Sequence, residues 1–175
     1  DNAATTSGGG MYNSSASPTL EGCELWDNEA TYNGGAIYND RSSPVLRRCA
    51  IESNSAGSAG GGMYTTGSGA PDGRNSVFVG NSAGAGGGIY STFCQGTFVN
   101  VTFAGNNATY GRSVNTYRVW SMTISNSILW GGSGGGQVYL EEAGFSPAII
   151  YSDVENGCTV ASGCTNNETG NIDVD

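Results

Sequence analysis

The residues with the widest chemical reach in this chain are its fifteen carboxylates, set against six arginines with no lysine and no histidine. Two acids facing each other across a glycosidic bond can hydrolyse it. Acids that pool six to eight oxygens can hold calcium. Both reactions need the acids to converge, so the spacing of the chain decides whether they are open to it. One phrase supplies that spacing: Gly8-Gly9-Gly10-Met11-Tyr12, Gly34-Gly35-Ala36-Ile37-Tyr38, Gly60-Gly61-Gly62-Met63-Tyr64 and Gly86-Gly87-Gly88-Ile89-Tyr90. Its apolar residue recurs at 11, 37, 63 and 89, a step of 26 residues. On that register Asp27 lies over Ser53, Gly80 and Gly105, and Glu29 lies over Ser55 and Ser82. Asp40 shares a column with Ser14, Thr66 and Thr92, Glu24 lies over Ala50, and Glu21 over Arg47 as an exposed ion pair. No acid stacks on an acid in these coils. Asp27 with Glu29, and Asp153 with Glu155, are i,i+2 pairs that read as solvated charge.

Missing histidine removes the usual general base and a common metal ligand, and with it a Ser-His-Asp arrangement. The expectation is therefore no catalytic residue, no metal and no cofactor. The five cysteines divide. Cys23 and Cys49 fall 26 apart and read as inward thiols, because in-register neighbours have parallel Cβ vectors that resist a disulfide. Cys158 and Cys164 flank a short polar loop and are the disulfide candidate, which suits an oxidising, extracellular setting. Cys94 is left over.

Two further columns could recognise something. Tyr12, Tyr38, Tyr64 and Tyr90 each follow the inward apolar residue, so strand alternation places them outside. They either stack on one another and stiffen a sheet, or form an aromatic row for sugar rings. A second phrase carries Asn28, Asn54, Asn81 and Asn106, spaced 26, 27 and 25 apart. Asparagine suits turns and can bond the next asparagine along a stack, so these read as a structural amide ladder. Asn13, Asn100, Asn107 and Asn167 stand in N-x-Ser/Thr sequons and are glycosylation candidates in a secreted protein.

The elements that must position these residues follow from the same period. Each repeat reads as three short apolar or alternating segments between turn residues, with no helical period. Such a coil, closing every 26 residues or so, describes an all-β parallel solenoid of about six coils in a single domain over residues 1–175. Residues 1–108 hold the regular coils, and 109–175 the degenerate coils and C-terminal end. Met11, Ile37, Met63, Ile89 and Val114 predict one interior column, and Leu25, Ile51, Phe78, Phe103 and Leu129 a second. Leu20 and Leu46 begin a third that later coils fill less regularly. Pro18, Pro44 and Pro71 keep step at one corner, where a missing N–H is tolerated. The chain enters the repeat almost at once, as expected of a mature or excised product, and no stretch reads as a signal peptide or a membrane-spanning helix. A net charge of −9 disfavours nucleic acid and anionic lipid.

The phrases GGGIY, GNSA, NSILWG, YSDVENG and GNIDVD resemble those of right-handed parallel β-helix repeat proteins of the pectate-lyase-like superfamily. The likeness is strongest to secreted or surface-anchored bacterial members, related in style to polymorphic outer-membrane proteins. It implies a right-handed coil and an extracellular or cell-surface location. For function it implies little, because that superfamily holds lyases, hydrolases, adhesins and passive stalks. The reading favoured by the residues is a non-catalytic structural or adhesive module. Its partners would be further copies of itself, stacked end to end or laterally, or surface glycans. A carbohydrate-binding surface module and a polysaccharide lyase or hydrolase are the alternatives.

Overall fold

Asn, Ser and Gly punctuate the chain so often that among the described residues no strand runs beyond five, and each lap closes on itself instead of extending. The computed structural model describes residues 1–142 and 147–155, which wind into six stacked coils of parallel strands. In the second coil the strands are Glu29–Ala30, Ile37–Asp40, Val45–Arg47 and Ala50–Glu52. These belong to four parallel sheets, here A to D, of which B, C and D run through all six coils and A through the first five. Sheets B, C and D hold the three strands expected per coil. Sheet A is a short addition, only two residues wide in the first three coils, where the sequence reads as turn.

The predicted columns form. Met11, Ile37, Met63, Ile89, Val114 and Val138 pair in register along sheet B. Leu25, Ile51, Phe78, Phe103, Leu129 and Val154 do so along sheet D. The third column runs Leu20, Leu46, Gly73, Phe98, Ile124 and Ile149. Its gap at Gly73 is filled from above: a Cβ there would stand 2.7 Å from the Phe98 ring. Each fully buried Ile, Leu or Phe in these columns contributes about 1.5–3 kcal/mol of transfer free energy. Pro18, Pro44 and Pro71 immediately precede the sheet C strands, and their carbonyls accept from Val45, Asp72 and Thr97 one coil on.

Corners are made by residues in left-handed conformation. Between sheets C and D these are Gly22, Arg48, Asn75, Asn100, Asn126 and Tyr151, at φ of 51° to 59°. The residue after each is buried or nearly so: Cys23, Cys49, Ser76, Val101, Ser127 and Ser152. Hydroxyls in this column bond the carbonyl two residues back and accept the N–H of the preceding coil, as Ser76 does with Arg74 and Cys49. Cys49 stands in the same place, its thiol directed at the carbonyls of Arg47 and Leu20. Cys23, Cys49 and Cys94 are free thiols.

The asparagine column turns the corner between sheets D and A. The Asn54 Oδ1 accepts both the backbone N–H and the Nδ2 of Asn28, and Asn81 receives Asn54 in the same way. Asn106 closes the series on Asn81, and Asn2 opens it on Asn28. The second amide hydrogen reaches back to the carbonyls of Leu25, Ile51 and Phe78. Truncating a buried rung strands several partners at about 1–3 kcal/mol each. Asn81→Ala is therefore expected to lower unfolding free energy by about 3 kcal/mol or more. Asn100→Gly, at an exposed left-handed corner that glycine adopts equally well, stays within about 0.5 kcal/mol. Guanidinium denaturation of both variants checks this; equal midpoints would mean the amides do not hold the coils together.

Candidate functional site

The tyrosines were the leading recognition candidates, and their geometry is a continuous stack. Ring centroids lie 4.9 Å apart for Tyr12 and Tyr38, and 5.2 Å for Tyr38 with Tyr64 and Tyr64 with Tyr90. The last two pairs are parallel to within 2°. A sugar ring stacks on an aromatic face, and here the faces of Tyr38 and Tyr64 are taken on both sides. Edges and the outer face of Tyr12 remain. The row is a spine along sheet B and offers little platform. At the next rung Asn115 replaces tyrosine, fully buried and with no hydrogen-bond partner for either amide atom, before Tyr139 resumes the column.

Burial raises the phenol pKa values of Tyr38, Tyr64 and Tyr90. Tyr64 is pushed up to about 12, chiefly by desolvation and then by Tyr38 and Glu141. Tyr90 is shifted further the same way, with its hydroxyl bonded to the Glu141 carboxylate. Burial also lifts Cys94 to about 11, so this thiol is not an activated nucleophile.

The acids pair with arginines. Asp40 meets Arg41 at 3.1 Å, Asp72 meets Arg74 at 2.8 Å, and Glu142 meets Arg118. Glu21 pairs with Arg48 and not with its register neighbour Arg47, because the left-handed corner swings Arg48 towards it. The two i,i+2 pairs behave differently. Asp27 and Glu29 are exposed. Glu155 instead turns inward, accepting from Gln137 Nε2 at 2.8 Å and from the Gly131 N–H at 2.9 Å, with Arg112 at 3.3 Å. Among the described residues no three Asp, Glu or Cys gather as a metal would need.

The sequons separate by exposure. Asn13 is inward, 8% exposed, and its amide donates to Asn39 Oδ1 at 2.9 Å, so a glycan there is excluded in this fold. Its sequon is an accident of a serine-rich corner. Asn100 is exposed and donates to Asn75, and Asn107 accepts two bonds from Ser133. Asn167, and the Cys158 and Cys164 pair, lie outside the described residues.

Residues 1–106 match the family model described as a right handed beta helix region. The chain belongs to the right-handed β-helix family. No curated protein and no solved structure matches it. The register of this β-helix continues well past residue 106, through the strand Asp153–Val154.

Two features of the β-helix escaped the sequence reading. Asn13, Asn39 and Thr65 form a second interior polar column, Asn39 donating to Thr65 Oγ1 at 3.2 Å. Asn39 belongs to a strand, not to the turn that it suggests. Its signal was the same 26-residue step, hidden because the column changes residue type after two rungs. The other feature is the end of the amide ladder. Gly132 follows Asn106 in the column, and Arg112, Gln137 and Glu155 fill the space with a polar network.

The spine makes stability pH-dependent. Tyrosines held neutral in the fold contribute stability that is complete below pH about 10, the unfolded value, and lost as pH rises towards 12. Thermal melts from pH 8 to 12 should fall steeply above 10, and Tyr64→Phe with Tyr90→Phe should flatten the fall. An unchanged slope in the double variant would place the alkaline lability elsewhere.

Proposed function

We propose that this β-helix is a non-catalytic, extracellular structural or adhesive module, a stiff rod that presents side chains at fixed intervals. The observation that carries the reading is the set of unbroken side-chain columns, buried amides on one corner and stacked phenols on one face. The faces of the tyrosine row and the amides of the asparagine ladder are spent on their counterparts one coil away. The described acids are spent likewise on arginines or on solvent, except that Glu155 also accepts from Gln137 and the Gly131 N–H and the Asp153 Oδ1 is buried without a hydrogen-bond partner. The extracellular setting is supported by the resemblance to secreted and surface β-helices, and by a composition rich in Asn, Ser, Thr and Gly with no lysine.

Further copies of the chain are the first partner proposed. At the N-terminal end a cavity of about 330 Å³ opens onto Met11, Leu20, Cys23 and Leu25. Met11, Cys23 and Leu25 are only partly buried, whereas Ile37, Cys49 and Ile51 below them are at most 2% exposed. A further coil over this end, from a second copy or from the same protein, would extend all three interior columns.

Two measurements test the proposal. Electron microscopy of the purified chain should show rods of uniform width, singly or end to end. Incubation with acidic and neutral polysaccharides, with and without calcium, should leave the polymers uncut. Cleavage would overturn the non-catalytic reading in favour of a lyase or hydrolase.

A further inference from the structure

Sheet D carries an uncharged outward face over three of its coils. Its outward side chains in the third, fourth and fifth coils are Val77 and Val79, Thr102 and Ala104, and Ile128 and Trp130, paired in register. Ile128 is 46% exposed and Trp130 38% exposed. No charge falls among these six. One edge of the strip is bordered on the same three coils by the exposed corner residues Asn75, Asn100 and Asn126. The opposite edge is bordered by Gly80, Gly105 and Gly131, whose lack of side chains leaves Trp130 approachable from that flank.

The chemistry of this strip defines an occupant. An apolar floor with one indole and a parallel row of carboxamides fits a ligand whose faces are apolar and whose rim carries hydroxyls. Sugar rings have that division. Coils repeat about every 4.8 Å, close to the length that one ring adds to an extended polysaccharide, so successive rings can meet successive rungs. Charge narrows the choice further. Glu24 and Glu52 occupy the sheet D face beyond the strip, and the chain carries a net −9, which repels uronates and phosphates. A second copy fits poorly. Three rungs of three residues span roughly 14 by 10 Å, far below the ~800 Å² that each partner of a stable interface buries.

We propose that this face, Val77 to Trp130 with the Asn75–Asn100–Asn126 edge, binds a short segment of a neutral, extended glycan. The proposal rests on reading the rod as adhesive and names what it adheres to. It also places recognition on a different sheet from the tyrosine spine.

Affinity electrophoresis of the full chain, made in bacterial cells so that Asn100 is bare, tests it. The probes are hydroxyethyl cellulose, galactomannan and mixed-linkage β-glucan, with polygalacturonate as the anionic comparison. At least one neutral polymer should retard the chain, and polygalacturonate should not. Trp130→Ala should weaken the retardation about tenfold, the worth of one aromatic stack. Ala104→Glu, which puts charge in the floor, should abolish it, and Asn126→Ala, on the exposed edge, should weaken it. Tyr38→Ala should leave it unchanged, and circular dichroism should show each variant folded. No retardation by any neutral polymer, equal retardation in Trp130→Ala and Ala104→Glu, or loss in Tyr38→Ala would each overturn the assignment. So would a concentration-dependent dimer that Ala104→Glu disperses, which would assign the face to self-association. Rods that fail to bind glycan sink this inference alone, whereas cleavage of a polymer would sink the rod reading beneath it.

Discussion

Parallel strands stacked in register bring each side chain to within about 5 Å of its counterpart one coil away, and most features of this protein answer to that constraint. A column can repeat a residue only if the residue is content beside itself. Apolar groups are, because they bury one another. Carboxamides are, because each has both a donor and an acceptor. Phenol rings are, because their faces stack. Carboxylates and ammonium groups are not, since like charges directly opposite repel. The composition follows: charged residues make up 12% of the chain and no two described acids are register partners, although Arg47 and Arg74 do stand side by side in sheet C.

The same constraint bears on chemistry. A catalytic dyad or calcium site built from adjacent coils needs acids to converge, which the stacking disfavours without a compensating ion. Here the acids pair with arginines across a corner or along a strand, as Glu21 with Arg48 and Asp72 with Arg74. Glu155, whose carboxylate is drawn inward, serves a structural end. It accepts hydrogen bonds at the point where the amide column stops.

Much of the fold was legible because the period is written in residues of constant type. Met11, Ile37, Met63 and Ile89 announced an inward column, and the asparagines a corner. Legibility failed where one column changes chemistry between coils. Gly73 reads as a defect in the third column until Phe98 is seen to fill its space from the next coil. Asn13 reads as a sequon because a local triplet says nothing of which way the amide points; Asn39 and Thr65, one and two coils away, decide it. The tyrosines were legible in direction but not in consequence. Spacing placed them outside, and only ring geometry shows that their faces are consumed. The strip on sheet D was the least visible, because Val77, Ala104 and Trp130 share no residue type and become one surface only when the coils are laid together.

The amide column also gives the rod a sense of direction. Every rung from Asn2 to Asn81 donates to the oxygen of the next, and every rung from Asn28 to Asn106 accepts from the one before. These small dipoles therefore add head to tail from Asn2 to Asn106, where the ladder stops, and its two ends differ in kind: Asn2 only donates along the column and Asn106 only accepts. The regular coils thus have a grain, like that of a thread, which runs one way.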